Sequence, residues 1–285
     1  MTEQPLRSVL FMPGNNRRAM DKAKALPADA VIFDLEDAVA PGAKDEARAS
    51  VCRQLRAGGY GDRAVAVRCN GLATPWGGAD LDALVQQPLA RLCVPKVESP
   101  GDVERLCARL ASAGRADLSL WVMLETPRGI ANAEAIAAAP AVAALLVGTT
   151  DLATALRLPA RRAREGLAHA LARVVLAARC AGVPALDGVC LAIDDEAPLS
   201  AECEHGRSLG FDGKTLVHPS QIDAANRAFG PGPEALAHAR RVIDAWAGAE
   251  AAGEGLAVLD GRLLEAMHVD EARRLLAFAE RSAGN

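Results

Sequence analysis

Ser8-Val9-Leu10-Phe11-Met12 halts at Pro13-Gly14, and Ala30-Val31-Ile32-Phe33-Asp34-Leu35 halts at Glu36-Asp37. Each run is too short for a buried helix and closes on turn-forming or charged residues, so each reads as a strand buried on both faces. Between them, Arg17 to Leu26 reads as a helix. A second helix beginning near Lys44 leads to Ala64-Val65-Ala66-Val67-Arg68, which makes the opening of the chain βαβαβ.

The rhythm continues to the last third of the chain. Arg91-Leu92-Cys93-Val94-Pro95, Leu118 to Leu124 and Val142 to Val147 are further strands, separated by alanine-rich segments with starts near Pro100, Asn132 and Arg161. Ala185 to Leu191 and Lys214 to Val217 complete eight. That count predicts a (β/α)₈ TIM barrel with a helical C-terminal extension, although periodicity alone does not separate it from an open doubly wound sheet. The break at Pro231-Gly232-Pro233 divides residues 1–230, a catalytic barrel, from 231–285, an extension suited to a lid or a subunit contact. In that extension we expect a helix from Glu234 to about Glu250, a Gly253-Glu254-Gly255 loop, a short apolar Leu256-Ala257-Val258-Leu259 and a last helix from about Asp270 to Glu280.

Composition fits a folded chain with a large core: 285 residues, 51% hydrophobic and 24% charged. A net charge of −4 gives no reason to expect nucleic acid, and the basic run Arg161-Arg162-Ala163-Arg164 reads as a solvated helix start. Cysteines at 52, 69, 93, 107, 180, 190 and 203 are odd in number and form no C-x-x-C pair, as expected of reduced thiols. Met1-Thr2-Glu3-Gln4-Pro5 opens no signal segment, and no apolar stretch is long enough to span a bilayer, so the expectation is a cytoplasmic protein without a membrane partner.

Chemistry is expected where polar residues follow apolar strands, because in a barrel the carboxyl ends of the strands face a common space. Asp34, Glu36 and Asp37 follow the second strand, Arg68 and Asn70 the third, Lys96 the fourth, Glu125 the fifth and Asp151 the sixth. Glu125 and Asp151, on adjacent strands, are the expected ligands of one hard divalent ion such as Mg²⁺; the bland alternative for each is a cap or an ion pair. Arg68 has the fork geometry to grip a substrate carboxylate, or else pairs with Asp34, Glu36 or Asp37. Lys96 is expected to neutralise Glu36 or Asp37. His218 reads equally as a ligand and as a hydrogen-bonded turn residue. Pro13-Gly14-Asn15-Asn16 offers backbone amides to a phosphate or is an ordinary turn, and no Gly-x-Ser-x-Gly elbow supports a serine hydrolase.

In combination, Leu10-Phe11-Met12-Pro13-Gly14, Phe33-Asp34-Leu35-Glu36-Asp37-Ala38-Val39 with Lys44 and Ala47-Arg48, Val67-Arg68-Cys69-Asn70, Val94-Pro95-Lys96, Leu124-Glu125-Thr126-Pro127-Arg128-Gly129, Gly148-Thr149-Thr150-Asp151-Leu152 and Gly210-Phe211-Asp212-Gly213-Lys214 through His218-Pro219-Ser220-Gln221 closely resemble the citrate lyase beta subunit-like branch of the HpcH/HpaI aldolase superfamily. The resemblance implies a (β/α)₈ barrel binding Mg²⁺ through Glu125 and Asp151, with Arg68 on the substrate oxygens. It further implies carbon–carbon cleavage or formation in a hydroxyacyl thioester such as citryl, malyl or citramalyl, carried by coenzyme A or an acyl-carrier protein. Glu36 and Asp37 join Arg68 as catalytic candidates. Pro13, Gly14 and Lys22 are candidates for the cofactor's phosphates. By the same resemblance the chain is expected to form a homotrimer or hexamer whose tail covers a neighbour's site, with Asp260 supplying the proton-transfer group. Asn70 departs from the His-Pro version of its strand end found in some malyl-CoA lyases. A thioester hydrolase and an acyl-thioester binding subunit with little activity of its own are the alternatives.

Overall fold

The computed structural model describes residues 5–251, 253 and 255–283. Met1 to Gln4 of the expected leaderless start, and Glu254 of the expected loop, lie outside the described residues. Eight parallel strands close into a barrel in sequence order: β1 (Ser8–Pro13), β2 (Ala30–Asp34), β3 (Ala64–Arg68), β4 (Arg91–Val94), β5 (Ser119–Leu124), β6 (Val142–Val147), β7 (Ala185–Asp187) and β8 (Gly213–Leu216). Closure is by β8 against β1, with Lys214 opposite Ser8 and Leu216 opposite Leu10. The open-sheet alternative is thereby removed.

Side chains alternate across each strand, and the two resulting sets pack into separate cores. Val9, Ala30, Ile32, Ala64, Ala66, Cys93, Trp121, Met123, Ala144 and Leu146 meet one another inside the barrel. Their neighbours Val31, Phe33, Val67, Leu120, Val122, Leu145 and Val147 face outward and pack beneath the helices. Small alanines inside leave room for the bulk of Trp121 and Met123. Two-residue steps from the interior set lead to Asp34 on β2, Arg68 on β3, Glu125 just past β5 and Gly148 just past β6. The alternation that fills the barrel therefore also delivers these four positions to its mouth.

β7 is shorter than expected. It was expected to run to Leu191 but stops at Asp187, because the Gly188 carbonyl accepts from the Lys214 ammonium and Asp187 Oδ1 accepts from the Gly188 N–H at 2.8 Å. Those groups leave the strand ladder, and the chain turns out. The helix expected from Arg161 is also divided, into a 3₁₀ turn Ala160–Arg162, a short helix Ala163–Gly166 and the long helix Ala168–Ala181.

After the helix Ile222–Phe229 the chain leaves the barrel. A helix Pro233–Ala251, strands β9 (Ala257–Leu259) and β10 (Arg262–Leu264), and a helix Ala266–Ala283 follow. β9 and β10 form an antiparallel hairpin through Asp260-Gly261, both with positive φ (48° and 76°), the conformation favoured at two-residue hairpin loops. The final helix starts earlier than Asp270 because the His268 ring accepts from the Glu265 N–H at 3.0 Å and caps it. Ala239, Val242, Ala249, Ala257, Leu264, Val269 and Ala272 form a core of the tail's own. Among the described residues no helix is long and apolar enough to cross a membrane.

Candidate active site

Arg68 organises the barrel mouth. Its Nε and Nη2 donate to Asp34 Oδ1 and Oδ2 at 2.7 and 2.6 Å, a two-pronged clamp between residues paired in register on β2 and β3. Nη1 lies 3.0 Å from Glu36 Oε2 and 3.6 Å from Asp37 Oδ2. The guanidinium stacks over Phe11, with Cζ 4.9 Å from the ring centroid. Burial disfavours its charge, but the Asp34 hydrogen bonds and the charges of Asp34 and Glu36 more than reverse this, so the cation is held above its ordinary pKa. All three ion-pair partners considered for Arg68 are present together.

Lys96 ties that side of the mouth to the metal-ligand candidates. Its ammonium lies 2.5 Å from Glu36 Oε1, 3.3 Å from Asp151 Oδ2 and 3.9 Å from Asp37 Oδ1. Its backbone N–H donates to Glu125 Oε1 at 2.8 Å, from a left-handed conformation with φ 53°. A strained backbone that aims an amide at one buried carboxylate and an ammonium at another is a feature found at functional sites. Glu125 and Asp151, 26 residues apart, are thus brought to the two ends of one lysine.

Close packing at Gly148 completes the arrangement. A Cβ there would stand 2.2 Å from Glu125 Oε2, so only glycine lets the β6 turn approach the carboxylate and place Asp151 in the first turn of the helix Thr149–Ala155. Glu125 is 2% exposed. Burial, joined by the Glu36 charge, pushes its carboxyl up to about 7. Burial also raises Glu36, against the opposing pull of Arg68 and Lys96, and its buried Oε2 accepts no hydrogen bond despite the nearby guanidinium.

Lys44 is a member that sequence reasoning left without a role. Its buried ammonium donates to the carbonyls of Leu35 (2.8 Å) and Glu36 (2.7 Å) and to Asn70 Oδ1 (2.8 Å), and so pins the loop carrying Glu36 and Asp37. Asn70 is held in turn by Asp80, which also accepts from Arg48 Nε at 2.7 Å. Nothing in the apolar pattern distinguishes a lysine that turns inward at a helix start from one in solvent.

Five carboxylates (Asp34, Glu36, Asp37, Glu125, Asp151) thus face three cations (Arg68, Lys96, Lys44) at the mouth. The excess of two negative charges, when all are ionised, matches one divalent ion; the buried Glu36 Oε2 is without a hydrogen-bond partner, and Glu125, raised first by burial and then by the Glu36 charge, is a carboxylate that a cation would stabilise. The donor set is all oxygen, suited to a hard ion. No three acidic, histidine or cysteine side chains among the described residues converge as a closed cage. An ion held by Glu125 and Asp151 would therefore keep open positions for water and substrate.

Other expected positions fall elsewhere. The Gly14 N–H donates to the Asp34 carbonyl at 2.8 Å and Pro13 has no N–H, so the amides at Pro13-Gly14 are not free for a phosphate. Gly14 is required by packing, since a Cβ would meet that carbonyl at 2.8 Å. Lys22 instead lines an open hollow with Arg17, Arg18 and Asp21, where any anion contact falls to side chains. His218 is a turn residue: its Nδ1 lies 2.7 Å from Ser220 Oγ. Asp260 sits at the hairpin tip, paired with Arg241 of its own tail and not with the mouth cluster.

Within the run read as a solvated helix start, Arg162 pairs with Glu165, but Arg164 turns inward and grips Asp187 with two hydrogen bonds (2.8 and 2.9 Å). Lys214, fully buried, lies 3.1 Å from Asp187 and 2.8 Å from Glu202. The seven cysteines are all free.

Residues 7–219 match the HpcH/HpaI aldolase/citrate lyase family. A (3S)-malyl-CoA thioesterase of Cereibacter sphaeroides is 45% identical over 276 residues, covering 97% of this chain and 95% of that protein. Citrate lyase subunit beta of Escherichia coli is 37% identical over 285 residues, covering 97% and 94%. The crystal structure of protein CitE from Mycobacterium tuberculosis in complex with magnesium, acetoacetate and coenzyme A is 30% identical and superposes with a TM-score of 0.80, over 98% of this chain and all of that one. By sequence and by fold, the chain belongs to the HpcH/HpaI aldolase/citrate lyase family, in its citrate lyase beta subunit-like branch.

Proposed function

We propose that this protein is a Mg²⁺-dependent carbon–carbon lyase acting on a hydroxyacyl-CoA of the malyl, citramalyl or citryl type. The observation that carries the reading is the juxtaposition, through Lys96 and Gly148, of Glu125 and Asp151 with the Arg68 guanidinium. Glu125 and Asp151 would hold the ion, which supplies Lewis-acid polarisation of the substrate's hydroxyl and neighbouring carboxylate oxygens. Arg68, kept charged and oriented by Asp34, binds and neutralises the negative charge that develops on the substrate oxygen as the carbon–carbon bond breaks. Glu36 and Asp37 hold the other side of that guanidinium, and Lys44 fixes their loop.

Thioester hydrolysis is the second reading, favoured by the 45% identity to a malyl-CoA thioesterase over nearly the whole chain. The two share substrate recognition and separate at the product. Incubation of the purified chain with Mg²⁺ and each of the three thioesters, with products identified by mass, decides between them. Glyoxylate, pyruvate or oxaloacetate beside the shortened acyl-CoA is the outcome expected for a lyase. A free hydroxy acid with free coenzyme A assigns hydrolysis, and no turnover of any of the three rejects both.

The tail, residues 231–285, is proposed as a separate unit that covers the site of a neighbouring copy in a homotrimer or hexamer and brings Asp260 there for proton transfer. Its independent core and its exposed Leu256, Val258, Leu263 and Met267 support a surface that needs a partner. The basic hollow of Arg17, Arg18 and Lys22 supports a phosphate contact. Light scattering of the full chain tests the assembly, for which a monomer at micromolar concentration is the contrary result. A cytoplasmic setting belongs to the same proposal, by likeness to citrate lyase subunit beta.

A further inference from the structure

One residue touches both metal-ligand candidates. Lys96 offers its amide to Glu125 and its ammonium to Asp151, while the same ammonium also contacts Glu36 and Asp37. An ion taking Asp151 Oδ2 must therefore do so against a positive charge already 3.3 Å from that oxygen. Two cations crowded on one carboxylate repel, and the more mobile one yields. Lys96 can move: its stem is flexible and its side chain is 46% exposed, whereas the neighbouring Arg68–Asp34 clamp is buried. It also has somewhere to go, because Glu36 Oε1 is its shortest contact and the Glu36 carboxylate is otherwise under-satisfied.

We propose that Lys96 is an internal counter-cation that competes with the divalent ion for Asp151. On this proposal, binding of the ion draws the ammonium off Asp151 and onto Glu36 and Asp37, and the exchange sets the affinity of the site. It is a positioning role and rests on the assignment of the ion to Glu125 and Asp151. The fixed amide keeps Glu125 aimed throughout, since the left-handed backbone at Lys96 is independent of where its ammonium lies.

The test is direct binding of Mn²⁺ to the full chain, read as loss of the free-ion electron paramagnetic resonance signal, with Mg²⁺ as competitor. Lys96→Met and Lys96→Gln keep the backbone amide and remove the charge, and each is expected to bind Mn²⁺ about tenfold more tightly, as for loss of one partly solvated like-charge neighbour. Lys96→Arg keeps the charge and is expected to bind no more tightly than the parent. Unchanged or weaker binding in both neutral variants overturns the proposal, as does tightening in the arginine variant equal to that in the methionine one. Failure of the parent and every variant to bind Mn²⁺ rejects the ion site itself, a result distinct from the other two.

Discussion

Two charged networks occupy the same end of this barrel, and they differ in their balance. On the β7–β8 side Asp187 and Glu202 face Lys214 and Arg164, two acids against two bases, each with its hydrogen bonds made. Burial opposes both charges of the Asp187–Lys214 pair, yet the partners hold Asp187 below and Lys214 above their ordinary values. On the β2–β6 side the acids outnumber the bases; burial pushes the Glu36 and Glu125 carboxyls upward, and there the nearby cations do not reverse it as they do at Asp187. A balanced buried network is architecture; an unbalanced one has work for an incoming cation.

Substitutions should separate the two. The largest effect is expected at Glu125→Gln or Asp151→Asn, where turnover should fall on the order of 10⁴-fold while the folded structure persists in circular dichroism. Full activity of either variant after metal removal would erase the distinction between the networks. Next is Lys214→Met, which strands two acids against one base. It should lower stability by roughly 3–5 kcal/mol in denaturant titration, with activity retained per folded molecule. Lost turnover at unchanged stability would make the second network functional after all.

The third effect depends on pH and is measured with a chelator present. A carboxyl whose pKa rises from 4.5 unfolded to about 7 folded favours the native state below 4.5, and that contribution is lost as pH climbs through 7. Glu125→Gln, which cannot ionise, should therefore match the parent near pH 4.5 and gain on it by about 3 kcal/mol by pH 8. A gap that stays constant with pH would mean Glu125 is not destabilised by its setting. The smallest expected effect is that of Gly148→Ala, whose methyl meets the Glu125 carboxylate. About a hundredfold loss of turnover is expected, since a misplacement of about 1 Å suffices, together with a loss of stability of about 1–3 kcal/mol from the overlap with the buried Glu125 side chain, read as a lowered melting temperature.

The sequence is most legible where one periodicity serves two purposes. The alternation in Trp121, Met123, Glu125 and in Ala64, Ala66, Arg68 marks both the strand and the direction of its polar end, so the eight-strand barrel and the mouth residues could be read together. Lys44, Lys214 and Arg164 were opaque for the opposite reason: a buried cation is defined by partners far away in sequence, and its own neighbourhood resembles an ordinary helix start or strand. The end of β7 is illegible on the same account, because the Lys214 contact that stops it lies 26 residues away. The hairpin was different. Asp260-Gly261 is a strong turn signal between short apolar runs, and reading Leu256 to Leu259 alone overlooked its partner.

The two-residue stride inside the barrel also restricts how such an enzyme can change over time. Because Asp34, Arg68 and the Glu125 position stand an even number of steps above the residues that plug the barrel, inserting or deleting a single residue within those strands would turn each outward and bury its neighbour in its place. Novelty is left to the segments beyond the strand ends, where length is free, and new substrates can be acquired there without redrawing the inner column.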